Sequence, residues 1–409
     1  MLKIAGVMSG TSLDGIDVAI VETDSFEDST LEILSYYQRS YPDEIKERLS
    51  RLVNFSYSDG ARVLKEVASL NIDLAEIYAA AIKTALSKAG LELEELDLIG
   101  CHGQTVFHQP GKSQTVSLQL GSGSVIAERT GVDTITNFRL RDIAAGGEGA
   151  PLVPLIDYLL YKSTDSHRFV LNIGGIANYT WLPADCERAE VSGSDTGPGN
   201  MMIDRAIQIL TEGNNDFDQD GVLASQGQLD EDLFDQLYQH DFFNRKYPRS
   251  TGRNDFGGKY TGRVIKEALA RGVKPEDIIT TLTRFTASSI VKSFQEEISR
   301  KDLITLKKSD CLEVIISGGG CHNKTLLKFI ETEISERFHN YRTELISLAD
   351  KDYEQFDIPA IDADQKEAVA FALLARESMM KRPGNLPSVT GARHPVIAGD
   401  LTPGDEVDF

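Results

Sequence analysis

Apolar positions along this chain switch between two spacings, and the switches mark its elements. Ile4-Ala5-Gly6-Val7-Met8 and residues 16–21 are apolar runs of strand length, separated by Ser9-Gly10-Thr11-Ser12-Leu13-Asp14-Gly15. Two such runs around a turn rich in glycine and hydroxyls predict a β-hairpin. Its seven-residue loop exceeds the roughly two to five residues of ordinary hairpins. Helical spacing takes over across 42–90. Ile45, Leu49 and Leu52 begin one stripe, and Leu64, Val67, Leu70, Leu74, Ile77, Ile82 and Leu86 predict two more segments. Residues 94–100 read as a strand that delivers Cys101-His102-Gly103-Gln104-Thr105 at its C-terminal end, where open α/β sheets place ligands. Leu120-Gly121-Ser122-Gly123 turns into a short helix, and 134–138 is a strand ending in Arg139.

The second half repeats that opening. Residues 168–173 are a strand, Gly174-Gly175 a turn, and 176–181 a returning strand. Two strand–glycine–strand openings predict two related domains. Ile203, Ala206, Ile207 and Leu210 fall at helical spacing behind Asn200, so a helix starts there with Asn200 as its N-cap. A further helix is predicted over 275–299. A buried strand over 313–317 then runs through Gly318-Gly319-Gly320 into a helix from about Asn323, and a last strong helix reaches Met380. Strands alternating with helices place the chain in the α/β class.

Composition narrows the function classes. The 409 residues carry a formal net charge of −21, which argues against nucleic acid and anionic membrane surfaces as partners. Bound anions then need backbone N–H groups, a metal or a few basic residues to reverse the local field. Cys101, Cys186, Cys311 and Cys321 are far apart, and the seven histidines show no metal-ligand spacing. That is the pattern of a reduced protein without a disulfide frame or zinc site. No apolar run approaches the roughly 20 residues that span a bilayer, and residues 1–6 lack the apolar core of a signal peptide. A cytoplasmic location is expected.

The candidate chemistry gathers around Ser194-Asp195-Thr196-Gly197-Pro198-Gly199-Asn200. Gly-Pro-Gly makes a turn poor in side chains, so a ligand can approach the N–H groups of the helix start. Asp195 at its mouth fits a catalytic base, a Mg²⁺ partner or a turn cap. Loop 9–15 can offer N–H and O–H donors to a phosphate and the Asp14 carboxylate to its metal, or it is a long surface hairpin. The triple glycine fits a nucleotide lying against backbone or a close strand–helix packing turn. His102 reads as a ligand group or a structural histidine. Residues 144–151 read as a hinge, substrate loop or linker, and the basic island 244–253 as solvated surface or a ligand-facing loop. Asp364 and Glu367 suit an N-cap and its capping-box partner. Asp216 to Gly221 superficially matches a calcium loop, but Gly227 stands where the bidentate Glu belongs. A Walker A motif is absent from the sequence.

Two strand–glycine–strand loops, a triple-glycine junction and an Asp on a turn between them resemble the actin-like/sugar-kinase ATPase superfamily. That resemblance implies two ribonuclease-H-like domains of the actin/hexokinase type, with the active site in the interdomain cleft. The closer match runs in order over nearly the whole chain. Ser9-Gly10-Thr11-Ser12-Leu13-Asp14-Gly15-Ile16-Asp17, Cys101-His102-Gly103-Gln104-Thr105, Gly149-Ala150-Pro151-Leu152, Asn172-Ile173-Gly174-Gly175-Ile176-Ala177-Asn178, Asp195-Thr196-Gly197-Pro198-Gly199-Asn200, Ser317-Gly318-Gly319-Gly320 and Asn385-Leu386-Pro387-Ser388-Val389-Thr390-Gly391 resemble the anhydro-N-acetylmuramic acid kinases.

The resemblance implies an enzyme that uses ATP, Mg²⁺ and water to open 1,6-anhydro-N-acetylmuramic acid and phosphorylate O6, in cell-wall recycling. It implies Asp195 as the general base and His102, Gln104 and Arg139 on the sugar, with Arg139 meeting the lactyl carboxylate. Ser9, Gly10, Thr11, Ser12, Leu13, Asp14, Gly15 and Ile16, with Gly174 and Gly175, would hold the phosphates. Gly318, Gly319 and Gly320 would hold the adenosine, and Asp14 and Glu367 the Mg²⁺ shell. The expected domains are 1–138 with about 381–409, and 139–380; a homodimer is compatible with the pattern. Glu148 departs from the family's usual Gln, and Ser194 from its aromatic or acidic lead-in. A levoglucosan-type anhydro-sugar kinase and a non-enzymatic actin- or chaperone-like ATP-binding protein are the rival readings.

Overall fold

The computed structural model describes residues 1–10, 13, 15–24, 31–54, 56, 59–111, 114–300, 311–349, 356 and 358–404. Their strands are β1 (Leu2–Ser9), β2 (Gly15–Thr23), β3 (Leu31–Ser40), β4 (Leu98–Gln109), β5 (Val116–Leu120), β6 (Thr134–Thr136), β7 (Ser166–Ile173), β8 (Ile176–Leu182), β9 (Ser192–Pro198), β10 (Cys311–Ser317), β11 (Arg342–Ser347) and β12 (Asp400–Thr402). The chain divides into two compact units, Met1–Leu160 with Gln365–Phe409, and Tyr161–Asp364.

Both units repeat one topology. In the first, the sheet runs β12-β6-β4-β1-β2-β3 with β5 paired to β4; in the second it runs β11-β10-β7-β8-β9. Each begins with a three-stranded antiparallel meander, and each adds two parallel strands beside the meander's first strand. This is the ribonuclease-H-like order, so the repeated hairpin in the sequence does mark a repeated α/β domain.

In the first unit, Ala5, Val7, Val18 and Ile20 share a core with Leu70, Leu74, Ile82 and Leu86 of helix Gly60–Ala89. Successive strand residues face opposite ways, so Gly6 faces the other side. It is the register partner of Gly100. A Cβ on Gly6 would sit 1.9 Å from the carbonyl oxygen of Ala368, and one on Gly100 2.2 Å from that of Phe371. Helix Lys366–Met379 therefore lies with its backbone directly on β1 and β4. Gly6→Ala is expected to cost more than about 3 kcal/mol, because the clash is with backbone that cannot rotate away. Urea unfolding checks this, and an unchanged midpoint would contradict the contact.

The two units divide at 160/161 and 364/365, against the expected 138/139 and 380/381, and that contact accounts for the second of these shifts. Periodicity located the last helix, but only the glycine pair on β1 and β4 decides which sheet receives it. Two local expectations also shift. β4 continues to Gln109, so residues 101–105 lie within the strand and not at its end. β6 stops at Thr136, where Asn137 takes a left-handed φ of 62° before Arg139.

In the second unit, Phe169, Leu171, Tyr179, Trp181, Val314 and Ile316 pack against Ile290 and Phe294 of helix Pro275–Arg300 and Ile330 of helix Lys324–Arg337. The same long helix meets Met202, Ile203, Leu233 and Val264 through Ile278, Leu282 and Phe285. It is buried on two sides, and it carries the packing behind Asp195. Among the described residues no helix is long and apolar enough to cross a membrane.

Candidate active site

Asp195 owes its orientation to a bulge. Ala177 pairs with Gly197 but Asn178 pairs with Asp195, so Thr196 is an extra residue on β9. Such insertions re-aim the neighbouring side chain and recur beside active sites. β9 ends the sheet, and its edge is covered by residues 249–251. The Asp195 amide donates to the Arg249 carbonyl at 3.0 Å. The Ser194 hydroxyl accepts from the Arg249 amide at 3.0 Å and donates to its carbonyl at 3.1 Å. The Thr251 amide donates to Asp195 Oδ2 at 2.7 Å. Oδ1 makes no hydrogen bond among the described residues. Burial pushes the Asp195 carboxyl up to about 6, against the opposing pull of the Thr251 amide and the Arg249 charge. A carboxylate poised near neutrality, with one oxygen fixed and one open, has the properties of a general base.

Arg249 is itself buried. Its guanidinium stacks on the rings of Tyr247 and Phe242, at 4.4 and 4.6 Å, and donates to Ser293 Oγ at 3.1 Å. The basic island thus sends an arginine inward, where it both clamps the backbone of 194–195 and favours the ionised form of Asp195.

The glycine turns interlock. The amides of Gly199 and Met201 donate to the Gly175 carbonyl at 3.0 and 3.1 Å, and that of Asn200 to the Gly174 carbonyl at 2.8 Å. The amides of residues 199–201 are therefore taken by the β7–β8 turn and are not open to a ligand. Asn200 precedes the helix but makes no side-chain cap. Gly174 and Gly175 differ from their neighbours: a Cβ on either would meet nothing closer than 3.6 Å. The protein itself does not require glycine there, and the space stays open to a ligand. The triple glycine divides. Gly318 and Gly320 would drive a Cβ to 2.6 Å from Asn172 Oδ1 and 2.3 Å from Ile173 Cγ2, whereas Gly319 is exposed with its nearest neighbour at 3.7 Å. Two of the three are packing glycines.

The first unit carries the candidate sugar residues. Arg139 donates through Nε and Nη2 to His102 Nε2, at 3.0 and 2.8 Å, and through Nη1 to the Gly149 carbonyl at 2.8 Å. Arginine is always a donor, so His102 Nε2 is the acceptor and the ring is neutral. Burial pushes the His102 imidazole well below its ordinary range, and the Arg139 charge acts in the same direction. Burial brings Arg139 down to about 10 against the charges of Glu367 and Asp142. Gln104 is buried and donates through Nε2 to the Gly10 carbonyl at 2.8 Å. His102 and Gln104 therefore brace Arg139 and the first hairpin loop.

In that loop, Ser9 is buried with its hydroxyl 2.8 Å from Tyr78 OH, and Ile16 belongs to the core. A Cβ on Gly15 would lie 2.3 Å from the Arg39 carbonyl oxygen, so this glycine serves the β2–β3 contact. Leu13 holds a left-handed φ of 62°, a strained state for a branched side chain. Thr11, Ser12 and Asp14 lie outside the described residues. Glu367 is exposed in the first turn of helix Lys366–Met379, which starts behind Gln365 and not behind an Asp364 cap. Among the described residues no three His, Cys, Asp or Glu side chains form a metal cage. Mg²⁺ held chiefly by phosphates and water needs only one or two carboxylates, and Glu367 is a donor of that kind.

The family model for anhydro-N-acetylmuramic acid kinase matches residues 2–404. The chain belongs to the anhydro-N-acetylmuramic acid kinase family. Proteins of that name from Caldanaerobacter subterraneus subsp. tengcongensis and Salinibacter ruber are 38% and 39% identical to it over 406 residues, covering 98% of this chain and 96% of each relative. Among solved structures, the activator of the 2-hydroxyisocaproyl-CoA dehydratase from Clostridium difficile with bound ADPNP is similar at a TM-score of 0.41 and 13% identity, over 93% of this chain and 96% of that one. Neither rival reading is favoured by the family match.

For this family member, sequence reasoning missed Arg249 and Thr251 as partners of the base. The signal was present in a basic island within an acidic chain, but a charge cluster alone does not say which of its arginines turns inward. Of the two departures, Ser194 has a definite task in holding residue 249, and Glu148 leaves its side chain exposed.

Proposed function

We propose that this kinase opens the anhydro bridge of 1,6-anhydro-N-acetylmuramic acid with water while the γ-phosphoryl group of ATP passes to O6. The products are N-acetylmuramate 6-phosphate and ADP. The observation that carries the proposal is Asp195, with Oδ2 fixed by Thr251 at 2.7 Å, Oδ1 open and a carboxyl raised to about 6. Water oxygen bonds to C1 as the C1–O6 bond breaks, and its proton passes to Asp195 Oδ1. O6 takes the phosphoryl group, ADP leaves, and the proton later returns to solvent.

The other residues position and neutralise. Arg139 has five N–H donors; with three engaged by His102 and Gly149, each terminal nitrogen keeps one for the lactyl carboxylate. Backbone at Gly10, Leu13, Gly174 and Gly175 would meet the phosphates, with Thr11 and Ser12, and Gly319 the adenosine. Mg²⁺ on Asp14 and Glu367 would supply charge neutralisation for the transferring group. With ATP as co-substrate, the reaction belongs in the cytoplasm. A coupled assay of ADP release tests the proposal. Turnover is expected to depend on 1,6-anhydro-N-acetylmuramate; slow release indifferent to that sugar would overturn it.

A further inference from the structure

The stretch Asn385-Leu386-Pro387-Ser388-Val389-Thr390-Gly391 takes no part in the reaction as proposed, yet its polar side chains converge on one buried carboxylate. Asp142 has 0% of its surface exposed, Asn385 1% and Thr390 2%. Asp142 Oδ1 accepts from Asn385 Nδ2 at 2.5 Å and from Thr390 Oγ1 at 2.6 Å. Its Oδ2 accepts from the Gly149 amide at 2.8 Å. The backbone is stitched in parallel, with the Glu148 amide on the Thr390 carbonyl at 2.9 Å and the Arg393 amide on the Ala145 carbonyl at 3.0 Å. Gly147 completes the fit, since a Cβ there would lie 2.2 Å from Asp142 Oδ2.

Gly149 links this cluster to the site. Its amide is held by Asp142, and its carbonyl accepts from Arg139 Nη1 at 2.8 Å. Its φ is 69°, and a Cβ would lie 2.8 Å from Ile143 Cγ1. We propose that Asp142 is a positioning residue for sugar recognition: with Asn385 and Thr390 it fixes Gly149, whose carbonyl then sets the guanidinium of Arg139. The inference rests on the reading that Arg139 meets the lactyl carboxylate. The three partners of Asp142 are all donors, so a carboxylate satisfies every one, whereas an amide would turn a donor onto a donor.

The test compares full-length Asp142→Asn, Thr390→Val, Arg139→Ala and the Asp142→Asn/Arg139→Ala double variant, varying 1,6-anhydro-N-acetylmuramate and ATP separately. Asp142→Asn is expected to raise KM for the sugar about tenfold, the loss of roughly one charge-assisted contact, while KM for ATP and kcat hold. The double variant is expected to match Arg139→Ala alone, because Asp142 then has nothing left to position. If Asp142→Asn does not fold, Thr390→Val removes one donor isosterically and shows the same pattern at a few-fold. Summed losses in the double variant, or equal changes in both KM values, would overturn the inference. So would silent Asp142 and Thr390 variants beside a sensitive Arg139, and this leaves the Arg139 reading intact. A silent Arg139→Ala would overturn that reading, and this inference with it.

Discussion

Asp195→Asn is expected to fold and to bind ATP as the parent does, while kcat falls by about 10²–10⁴-fold, the usual worth of a general base. The amide keeps an oxygen for the Thr251 N–H but cannot take a proton from water. The same substitution is expected to stabilise the protein at pH 8. Burial lifts the Asp195 carboxyl from an ordinary 3.8 to about 6, so the folded chain binds the proton more tightly than the unfolded one. The stabilisation this brings is complete below the lower value and lost as pH rises through the higher. At pH 8 the folded protein therefore carries an unfavourable buried charge worth up to about 3 kcal/mol, which the neutral amide removes. Steady-state kinetics, nucleotide calorimetry and melting at pH 8 and pH 4 check both halves. Near-normal kcat would refute the catalytic assignment.

Arg139→Ala is expected to lower kcat/KM for the anhydro-sugar by about 10²-fold or more, with KM for ATP unchanged. The variant loses a charge-assisted fork to a carboxylate and also leaves His102 Nε2 and the Gly149 carbonyl without their donor. Arg139→Lys is not expected to rescue it, because a single ammonium cannot meet His102, Gly149 and a carboxylate together. Kinetics with each substrate varied in turn separate this from general damage. An unaltered KM for the sugar would contradict it.

Much of this fold is legible in the sequence, because both hairpin openings and helices Pro275–Arg300 and Lys366–Met379 carry strong periodic signals. Residues 64–86, read as two segments, nevertheless lie in the single helix Gly60–Ala89. β3 escaped notice: Leu31–Ser40 is only partly buried, so its apolar and polar residues do not alternate cleanly. The domain boundary was unreadable because Gly6 and Gly100 signal a close backbone approach only once the helix that approaches them is known. The site shows the same division. Asp195 stands out through its turn, whereas the Arg249–Thr251 clamp and the Asp142 cluster join residues that are 54 to 56 and 243 to 248 positions apart. Glycines mislead in the other direction. Gly15, Gly199, Gly318 and Gly320 are demanded by neighbouring protein atoms, whereas Gly174, Gly175 and Gly319 leave room for a ligand.

The pH dependence of kcat/KM for 1,6-anhydro-N-acetylmuramate, at saturating ATP, bears most directly on the role of Asp195. The base works ionised, so activity should fall about tenfold per pH unit once pH drops below about 6. A rate that stays flat until the ordinary carboxylate range near 4 would mean that the water is activated by some other group.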